Sequence, residues 1–359
     1  RDGFGREIDY MRISVIDSCN LNCYYCNPCD NNEHCHALNI LSVKEVLCIV
    51  RAATRLGIKH FRLTGGEPLL HPQLDEMVLQ IKKIPGVSSV SLTTNAVLLA
   101  QHAKWLKEAG IDSINVSLDT IDASEYERIT KKPLLEEVKH GINAAIECGI
   151  RVKINVVLTP QTDVVALTRY VAKKGTDIRF IEMMPVGEGH TNGVEPYKKV
   201  IGTLSKLYGE PCRINTEKTK EINSGNDKRK IPDNGPAEYY IFPELGIRVG
   251  LIQAIHGKFC DTCNRIRVTA DGRLMPCLGS SVTMDLVPDS CEFTDDLEKD
   301  FVIAQALKAA IKAKPGCHNF NDNAVTYTKT TETKTVETKT TELKAAEVNA
   351  ARNMSRIGG

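Results

Sequence analysis

The sequence lacks the features of a membrane or secreted protein. No apolar run approaches the roughly 18 to 20 residues that a membrane-spanning helix needs, and the first residues, RDGFGREIDY, lack the apolar core of a signal peptide. The formal net charge of +1 over 359 residues gives no global attraction to nucleic acid or to an anionic membrane surface. We therefore expect a cytoplasmic protein that meets any anionic ligand with local basic groups.

The sequence also lacks a Ser-His-Asp or paired-carboxylate arrangement with convincing spacing, whereas cysteine is abundant. Thirteen cysteines occur in a chain that we expect in a reducing compartment, where a disulfide framework is disfavoured. Metal binding is therefore the first hypothesis for the cysteines.

A repeated βα pattern runs from residue 8 to about residue 183. Short β-branched apolar runs alternate with longer segments of helical spacing. A glycine ahead of most runs suits the left-handed residue that ends a helix. Ser42 with Glu45 forms a capping-box signature at the start of one helix. The strand candidates are 8–16, 58–64, 87–94, 112–118, 151–158 and 177–183, and the glycines are Gly57, Gly86, Gly110, Gly149 and Gly175.

Six strands alternating with helices predict an α/β fold, a partial (β/α)6 TIM-like barrel with functional residues on the loops after the strands. The predicted barrel covers 1–209, and 210–313, where the repeat breaks, is a predicted smaller module that returns to a helical pattern at 296–313. The Thr/Lys/Glu-rich stretch 314–342 is a predicted flexible linker. The tail 343–359 ends in Gly-Gly, and simple fraying is one interpretation of it.

A first cysteine triplet, CxxxCxxC, follows the first strand candidate and consists of Cys19, Cys23 and Cys26. Four-iron clusters normally take four cysteine thiolates, so a three-cysteine loop leaves one iron open to an outside ligand. A zinc site with a fourth protein ligand is the alternative. The nearby residues that could complete it are Cys29, His34, Cys35 and His36.

A second triplet consists of Cys260, Cys263 and Cys277. The hairpin-like turn ADGR brings the third cysteine back beside the first two. A zinc ribbon would need a second CxxC, which is missing here, although zinc stays open as an alternative for this triplet taken alone.

The first triplet, together with TGGEP at 64–68, resembles the radical S-adenosylmethionine (SAM) superfamily. The resemblance implies that SAM chelates the open iron and that the GGEP segment approaches its amino group. Two glycines permit a close backbone approach, and Glu67 can offer negative charge to an ammonium group. Carried over by position, the SAM site comprises Tyr25, Gly66, Glu67, Ser117 and Met184, although the packing of the barrel is an alternative explanation for these residues.

The second triplet, with CNRIRVTADG, resembles the GTP 3′,8-cyclases, and the resemblance extends through RFIEMMPVG at 179–187 and NGPAEYY at 234–240 to the final IGG. It implies a second [4Fe-4S] cluster whose open iron binds the purine of GTP. Guanidinium groups bind phosphate bidentately, and a nearly neutral protein needs local cations to hold a triphosphate. The implied GTP contacts are Arg12, Arg62, Thr93, Lys153, Arg265, Ile266 and Arg267, and Arg265, Arg267, Gly358 and Gly359 would support catalysis.

The resemblance implies a lyase that makes (8S)-3′,8-cyclo-7,8-dihydroguanosine 5′-triphosphate, the first step of molybdenum cofactor biosynthesis. A 5′-deoxyadenosyl radical removes the ribose C3′ hydrogen, and C3′ then attacks guanine C8. The implied partners are a reducing electron donor and, downstream, cyclic pyranopterin monophosphate synthase. Monomer and homodimer both stay open. A radical enzyme that modifies a peptide and a zinc-binding scaffold without activity are the alternatives.

Two departures from that family's pattern concern loops near the expected site. Ala96 stands where relatives usually have the glycine of TTNG, and the segment 253–257, QAIHG, replaces a serine-containing one. The first departure is expected to tighten a turn, and the second leaves the positioning of the substrate by that loop open.

Overall fold

Six parallel strands form the centre of the fold in a computed structural model, which describes residues 1–26, 39–185, 194–214, 235–280, 283–286, 296–318 and 320. The strands pair in chain order and each lies within one of the six predicted segments, so these predictions are confirmed. They are β1 (Tyr10–Ser14), β2 (His60–Thr64), β3 (Ser89–Thr94), β4 (Ser113–Ser117), β5 (Val152–Val157) and β6 (Asp177–Ile181).

The helices between these strands bury one apolar face each in the hydrophobic core. The capping box at Ser42 is present, because its hydroxyl accepts from the Glu45 backbone N–H at 3.3 Å while the Glu45 carboxylate accepts from the Ser42 N–H at 2.8 Å. All five predicted helix-ending glycines have positive φ, between 61° and 93°. The helices are α1 (Val43–Arg55), α2 (Leu74–Lys82), α3 (Leu99–Glu108), α4 (Ala123–Thr130), α5 (Leu135–Glu147) and α6 (Val164–Lys173).

The C-terminal part of the chain extends the same sheet at both edges. The strand order is β12-β11-β10-β1-β2-β3-β4-β5-β6-β9-β8-β7, with β10 parallel to β1 and β9 parallel to β6. Sequence patterns did not predict this joining, and the proposed domain boundaries stay a prediction. The additional elements are α7 (Gly202–Tyr208), β7 (Cys212–Ile214), β8 (Glu238–Ile241), β9 (Arg248–Ile252), β10 (Arg265–Val268), β11 (Arg273–Met275), β12 (Met284–Asp285) and α8 (Asp296–Lys312).

Helix α8 confirms the helical pattern predicted for 296–313 and packs against α1. A bidentate ion pair joins the two helices, with Arg51 donating to the buried Asp300 carboxylate at 2.8 and 3.1 Å. No helix in the part of the chain that the structure describes has both the length and the apolar character needed to cross a membrane.

Alternation along the strands separates the core from the interior of the barrel. In β1, Met11 and Ile13 lie in the hydrophobic core, whereas Tyr10 and Arg12 line an internal cavity. Strand β10 alternates in the same way: Ile266 is buried in the core, whereas its neighbours Arg265 and Arg267 line the cavity. Because side chains of a strand alternate between faces, the sheet directs its charged residues inward.

Candidate functional site

One cavity of about 570 Å³ inside the barrel connects the two cysteine triplets. Cys26 lies on its wall in the loop after β1, and Cys260, Cys263 and Cys277 lie on the wall formed by the C-terminal part of the chain. The triplets are 234 residues apart at their nearest members, and one cysteine of the first and all three of the second therefore line the same cavity. The fold thus brings the two cysteine motifs to one cavity.

Backbone hydrogen bonds hold the loop of the first triplet against the end of α4. The N–H groups of Asn22 and Tyr24 donate to the carbonyls of Thr130 and Ile129 at 3.0 and 3.1 Å. A tight turn then brings Cys26 N–H within 3.0 Å of the Cys23 carbonyl. The loop thus holds its thiols on a fixed backbone.

The glycines of the GGEP segment lie directly against this loop. Gly66 N–H donates to the Ile16 carbonyl at 2.7 Å, and a Cβ at Gly66 would come within 2.1 Å of the Ser18 carbonyl oxygen. A side chain cannot occupy that space unless the backbone of the loop moves. The need for glycine here is therefore explained by the packing of two loops, and a contact between Gly66 and SAM stays a prediction.

The Glu67 carboxylate is buried beneath the next loop. It accepts hydrogen bonds from Leu69 N–H at 3.0 Å, Thr94 Oγ1 at 2.6 Å and Asn95 N–H at 2.7 Å. Burial raises the pKa of Glu67 to about 7 in spite of these donors. Glu67 is 1% exposed, and this geometry supports a positioning role in which it joins the GGEP segment to the loop after β3.

The remaining predicted SAM residues occupy different surroundings. The Tyr25 hydroxyl donates to Asp119 at 2.5 Å, and Asp119 also accepts from Val157 N–H at 2.7 Å. Tyr25 and Met184 line the cavity, whereas the exposed Ser117 does not. Their roles toward SAM stay predictions.

The second triplet is built from a short 3-10 turn, Cys260–Thr262, and the hairpin of β10 and β11. The hairpin turn closes through Thr269 N–H and the Arg273 carbonyl at 2.8 Å, which confirms the predicted return of the chain toward Cys277. The buried Lys314 donates to the Pro276 carbonyl at 2.8 Å, beside the third cysteine.

Arg6 joins three distant segments at this triplet. Its guanidinium donates to the carbonyls of Cys260, Gly316 and Pro315 at 2.7, 3.0 and 2.6 Å, and pairs with the buried Asp2 carboxylate. The predicted linker therefore begins with residues that are packed against the second triplet, namely 314–318 and Phe320. Residue 319 and the segment from 321 on lie outside the described residues.

The electrostatics of the thiols fit metal binding. Burial raises the pKa of Cys19 to about 12 and that of Cys26 to about 11, so these thiols ionise near neutral pH only if a cation compensates. At Cys263 burial also raises the pKa, but the opposing effect of Lys314 and Arg265 is larger. The pKa of Cys263 is therefore below the ordinary thiol value. Both sets of thiols are therefore suited to bind the cationic iron atoms of an iron–sulfur cluster.

Cationic side chains dominate the wall between the triplets. In the register of β1 with its neighbours β2 and β10, Arg12 lies opposite both Arg62 and Arg267, and Tyr10 lies opposite Arg265. Burial, followed by repulsion from Arg267 and Arg62, lowers the pKa of Arg12 well below its ordinary value. The only carboxylates among the cavity-lining residues that the structure describes are Asp112 and Glu182, and the cations are Arg12, Arg62, Arg151, Lys153, Arg179, Arg265, Arg267 and Lys314.

Two buried polar atoms on the same wall are suited to a ligand. Thr93 Oγ1 and Asn155 Oδ1 have no hydrogen-bond partner among the described residues, although both residues line the cavity. Unsatisfied buried polar groups are rare because each costs about 1–3 kcal/mol. A polar ligand between the cations would satisfy them.

Both departures from the family pattern have a structural counterpart. Ala96 is buried with φ of +65°, a left-handed conformation that glycine adopts more easily. The 253–257 loop is held by Glu182, whose carboxylate accepts from Ile255 N–H at 2.7 Å and His256 N–H at 3.1 Å and pairs with the His256 ring.

Sequence reasoning did not assign several residues of this site. Arg179 and Glu182 lie in the stretch RFIEMMPVG, and Asp119 lies in NVSLDT at 115–120. Both stretches belong to the family resemblance, so the sequence contained a signal for these three residues. Arg6 lies in RDGFGREIDYMRISV, which belongs to the same family resemblance, whereas no motif pointed to Lys314. The side chain of Ile266 lies in the core, so its predicted contact with GTP would have to come from its backbone. Cys29, His34, Cys35, His36, Gly358 and Gly359 lie outside the described residues.

Solved structures with the same fold define the class. The crystal structure of Streptococcus suis SuiB bound to S-adenosylmethionine superposes with a TM-score of 0.54 at 14% identity, covering 84% of this chain and 66% of that one. Native anSMEcpe with bound AdoMet gives a TM-score of 0.51 at 18% identity, covering 75% and 74%. The Radical SAM superfamily model matches residues 13–166. The protein has the radical SAM fold.

Closer relatives define the family. The Molybdenum Cofactor Synthesis C model matches residues 176–320. The GTP 3′,8-cyclase of Clostridium perfringens (strain SM101) is 35% identical over 89% of this chain and 94% of that enzyme. The GTP 3′,8-cyclase of Pelotomaculum thermopropionicum is 36% identical over 89% and 95%. The chain belongs to the GTP 3′,8-cyclase family, which implies SAM and two [4Fe-4S] clusters as its cofactors.

Proposed function

We propose that this protein converts GTP into (8S)-3′,8-cyclo-7,8-dihydroguanosine 5′-triphosphate, the first step of molybdenum cofactor biosynthesis. The observation that carries the proposal is the single cavity bounded by Cys26 at one wall and by Cys260, Cys263 and Cys277 at another, with a cationic surface between them. A substrate held there lies between two metal sites.

The two cysteine triplets are the donor sets that support the assignment of the clusters to residues. Cys19, Cys23 and Cys26 would hold the first cluster, and Cys260, Cys263 and Cys277 the second. When bound, SAM and the first cluster supply the one-electron chemistry that removes the hydrogen atom from ribose C3′.

The cationic wall binds and orients the triphosphate. Arg12, Arg62 and Arg267 lie side by side in three adjacent strands, so several guanidinium groups can share one polyphosphate. Their mutual repulsion is relieved by an anion, which favours GTP over an uncharged nucleoside. Arg265 lies beside both Tyr10 and Cys263, and Arg267 interacts electrostatically with Cys277 and Cys263 of the second triplet.

The side chains near the reacting sugar have mainly a positioning role. Lys153 lies 5.8 Å from the centre of the Tyr239 ring and is 4% exposed, which fixes its ammonium group inside the barrel. Thr93 and Asn155 offer their unsatisfied polar atoms to the ribose or phosphates. The cavity wall would hold C3′ and C8 of one GTP molecule in reach of each other.

Isotope transfer tests this proposal directly. The reconstituted full chain is given SAM, a reductant and GTP deuterated at C3′, and we expect deuterium in the 5′-deoxyadenosine product. Deuterium found only in unreacted GTP would contradict the proposal. Arg267→Met should lower kcat/KM for GTP by about 10- to 100-fold, since one charged hydrogen-bond partner contributes about 1.5–3 kcal/mol.

Arg273→Met is the matched control for that variant. Arg273 lies in the same hairpin but outside the cavity, where it pairs with the exposed Asp285 at 3.0 Å. Its loss should leave turnover within about twofold, because exposed ion pairs contribute little. Equal losses in both variants would show that the hairpin matters only for folding.

The finer parts of the assignment are proposals as well. We infer a cytoplasmic location, a reducing electron donor and delivery of the product to cyclic pyranopterin monophosphate synthase. We infer no nucleic-acid or membrane partner, since the formal net charge of the chain is only +1.

A further inference from the structure

A second set of metal-ligand side chains lies beside the second triplet and includes a cysteine outside both motifs. The thiols of Cys260 and Cys317 and a ring nitrogen of His318 all lie within 4.8 Å of one another. Cys317 belongs to the segment predicted as the start of a linker, yet Arg6 holds the preceding residues through the Pro315 and Gly316 carbonyls.

The His318 ring is oriented in the way that metal-binding histidines are. The residue is 8% exposed, and its Nε2 lies 2.8 Å from the Ala254 carbonyl oxygen. A carbonyl only accepts, so Nε2 carries the hydrogen and Nδ1 keeps a lone pair. Nδ1 is buried and has no hydrogen-bond partner among the residues that the structure describes. A backbone carbonyl on the remote nitrogen commonly fixes the tautomer of a metal ligand.

Packing holds the ring in this orientation. The His318 ring lies 4.2 Å from the ring of Phe320, measured between centroids. A Cβ at Gly279 would come within 2.9 Å of the Phe320 ring and 3.0 Å of the His318 Cβ. The absence of a side chain at Gly279 therefore lets this segment lie flat on the loop that follows Cys277.

We propose that Cys260, Cys317 and His318 bind a single zinc-type divalent ion. Tetrahedral sites of mixed thiolate and imidazole ligands favour zinc, whose bonds of about 2.3 Å to sulfur and about 2.0 Å to nitrogen separate the donor atoms by about 3.5–3.8 Å. The observed limit of 4.8 Å requires only small side-chain movements. Cys317 is exposed, so water completes the fourth position from that side.

The site excludes the second cluster because Cys260 belongs to both. With the ion bound, Cys260 is withdrawn from the triplet that would hold the second four-iron cluster, so that cluster is absent while the first triplet is unaffected. The ion joins the loop at 254–260 to the segment at 315–318, so it would hold this wall of the cavity together before the iron of the second cluster is inserted. The ion site itself does not depend on the proposed reaction.

Cobalt titration of the full-length, iron-free chain tests the site, with Co²⁺ as a coloured substitute for zinc. Other cysteines can also take up Co²⁺, so the informative quantity is the difference between variants. Cys317→Ser should bind one ion fewer than the unaltered chain, or bind it at least about tenfold more weakly. Cys263→Ser should keep that ion, since Cys263 belongs only to the triplet. Cys212→Ser, on the exposed strand β7, is the control.

Two outcomes would overturn the proposal. If Cys263→Ser loses the ion while Cys317→Ser keeps it, the ion is bound by the triplet alone. If neither variant differs from the control, no ion binds at this place. Cys317 is exposed, so serine there removes no core packing and misfolding would not explain a loss.

Iron reconstitution tests the exclusion separately. Loading one equivalent of Zn²⁺ first should reduce iron uptake by about four atoms per chain in the unaltered protein but not in Cys317→Ser. Equal reductions in both proteins would show that zinc acts elsewhere. Without zinc, Cys317→Ser should take up the same iron as the unaltered chain. Failure of GTP turnover with the cobalt difference intact would count only against the proposed reaction.

Discussion

Replacing Arg6 by methionine should destabilise the protein by about 3–5 kcal/mol, because removal of one partner leaves a buried charge uncompensated. The Asp2 carboxylate, 2.5 Å from Arg6 Nε, belongs to a residue only 8% exposed. It would retain two backbone N–H donors, from Phe4 and Arg6, at 2.9 Å each. The carbonyls of Cys260, Pro315 and Gly316 would each lose a charged donor.

A double-mutant cycle separates the charge from the packing. Adding Asp2→Asn to Arg6→Met removes the unpaired carboxylate, so we expect the combined loss to fall to about 1–2 kcal/mol. The loss of stability in Arg6→Lys should lie between those of Arg6→Met and the double variant. Lysine keeps the charge but lacks the planar set of donors with which arginine reaches three carbonyls. The measurement is the urea midpoint of the full cluster-loaded chain under anaerobic conditions. The rate at which a chelator removes iron should rise in Arg6→Met, because Cys260 loses its support.

The same pair predicts a pH dependence. Burial raises the pKa of Asp2, but the Arg6 guanidinium and the backbone donors together have a larger, opposite effect. The pKa of Asp2 in the folded protein therefore lies below the ordinary value of 3.8. Its stabilisation is therefore complete above about pH 4 and is lost as the pH falls through the folded pKa. The difference between the unaltered chain and Asp2→Asn should narrow in that acid range. A cost below about 1 kcal/mol for Arg6→Met, or an equal cost with Asn at position 2, would refute the reasoning.

Three further predictions concern single positions. Gly66→Ala should lose the iron of the first cluster, about four atoms per chain, because its Cβ would lie 2.1 Å from the Ser18 carbonyl oxygen; Gly202→Ala, with no atom within 4 Å, should keep all of it. Ala96→Val should lower stability by about 2 kcal/mol or more, since a β-branched residue is strained at positive φ, whereas Ala96→Gly should stay within about 1 kcal/mol because relief of strain offsets the lost methyl. Asp300→Ala should cost about 1–2 kcal/mol, because Arg51 and Arg55 lose their shared buried carboxylate in the interface of α1 and α8 but are themselves partly solvated. Iron analysis tests the first, and denaturant midpoints test the others; an unaltered midpoint in Ala96→Val would contradict the strain argument.

The sequence predicted the features that repeat or that have a fixed local spacing. The alternation of apolar runs and glycines located β1 to β6, and the short spacings within each triplet identified both cysteine sites. Pairing of β9 with β6 and of β10 with β1 was not predicted, because these contacts join short strands at a long separation in sequence. Arg6 and His318 were missed for the same reason, since only the folded chain brings residues 6, 260 and 318 together.

Joining β10 to β1 has a chemical consequence that the barrel alone could not produce. The register aligns Arg267 with Arg12, and Arg12 with Arg62, so strand β10 from the C-terminal part of the chain places a third guanidinium in a row across the cavity wall. Burial, then repulsion from Arg265, lowers the pKa of Arg267 to about 10, so it stays charged near neutral pH and the row remains electrostatically unfavourable without an anion. The hairpin that carries Arg265 and Arg267 also carries the chain to Cys277. In the proposed function, selection of an anionic nucleotide and formation of the second metal site would therefore both depend on the docking of this one hairpin onto β1.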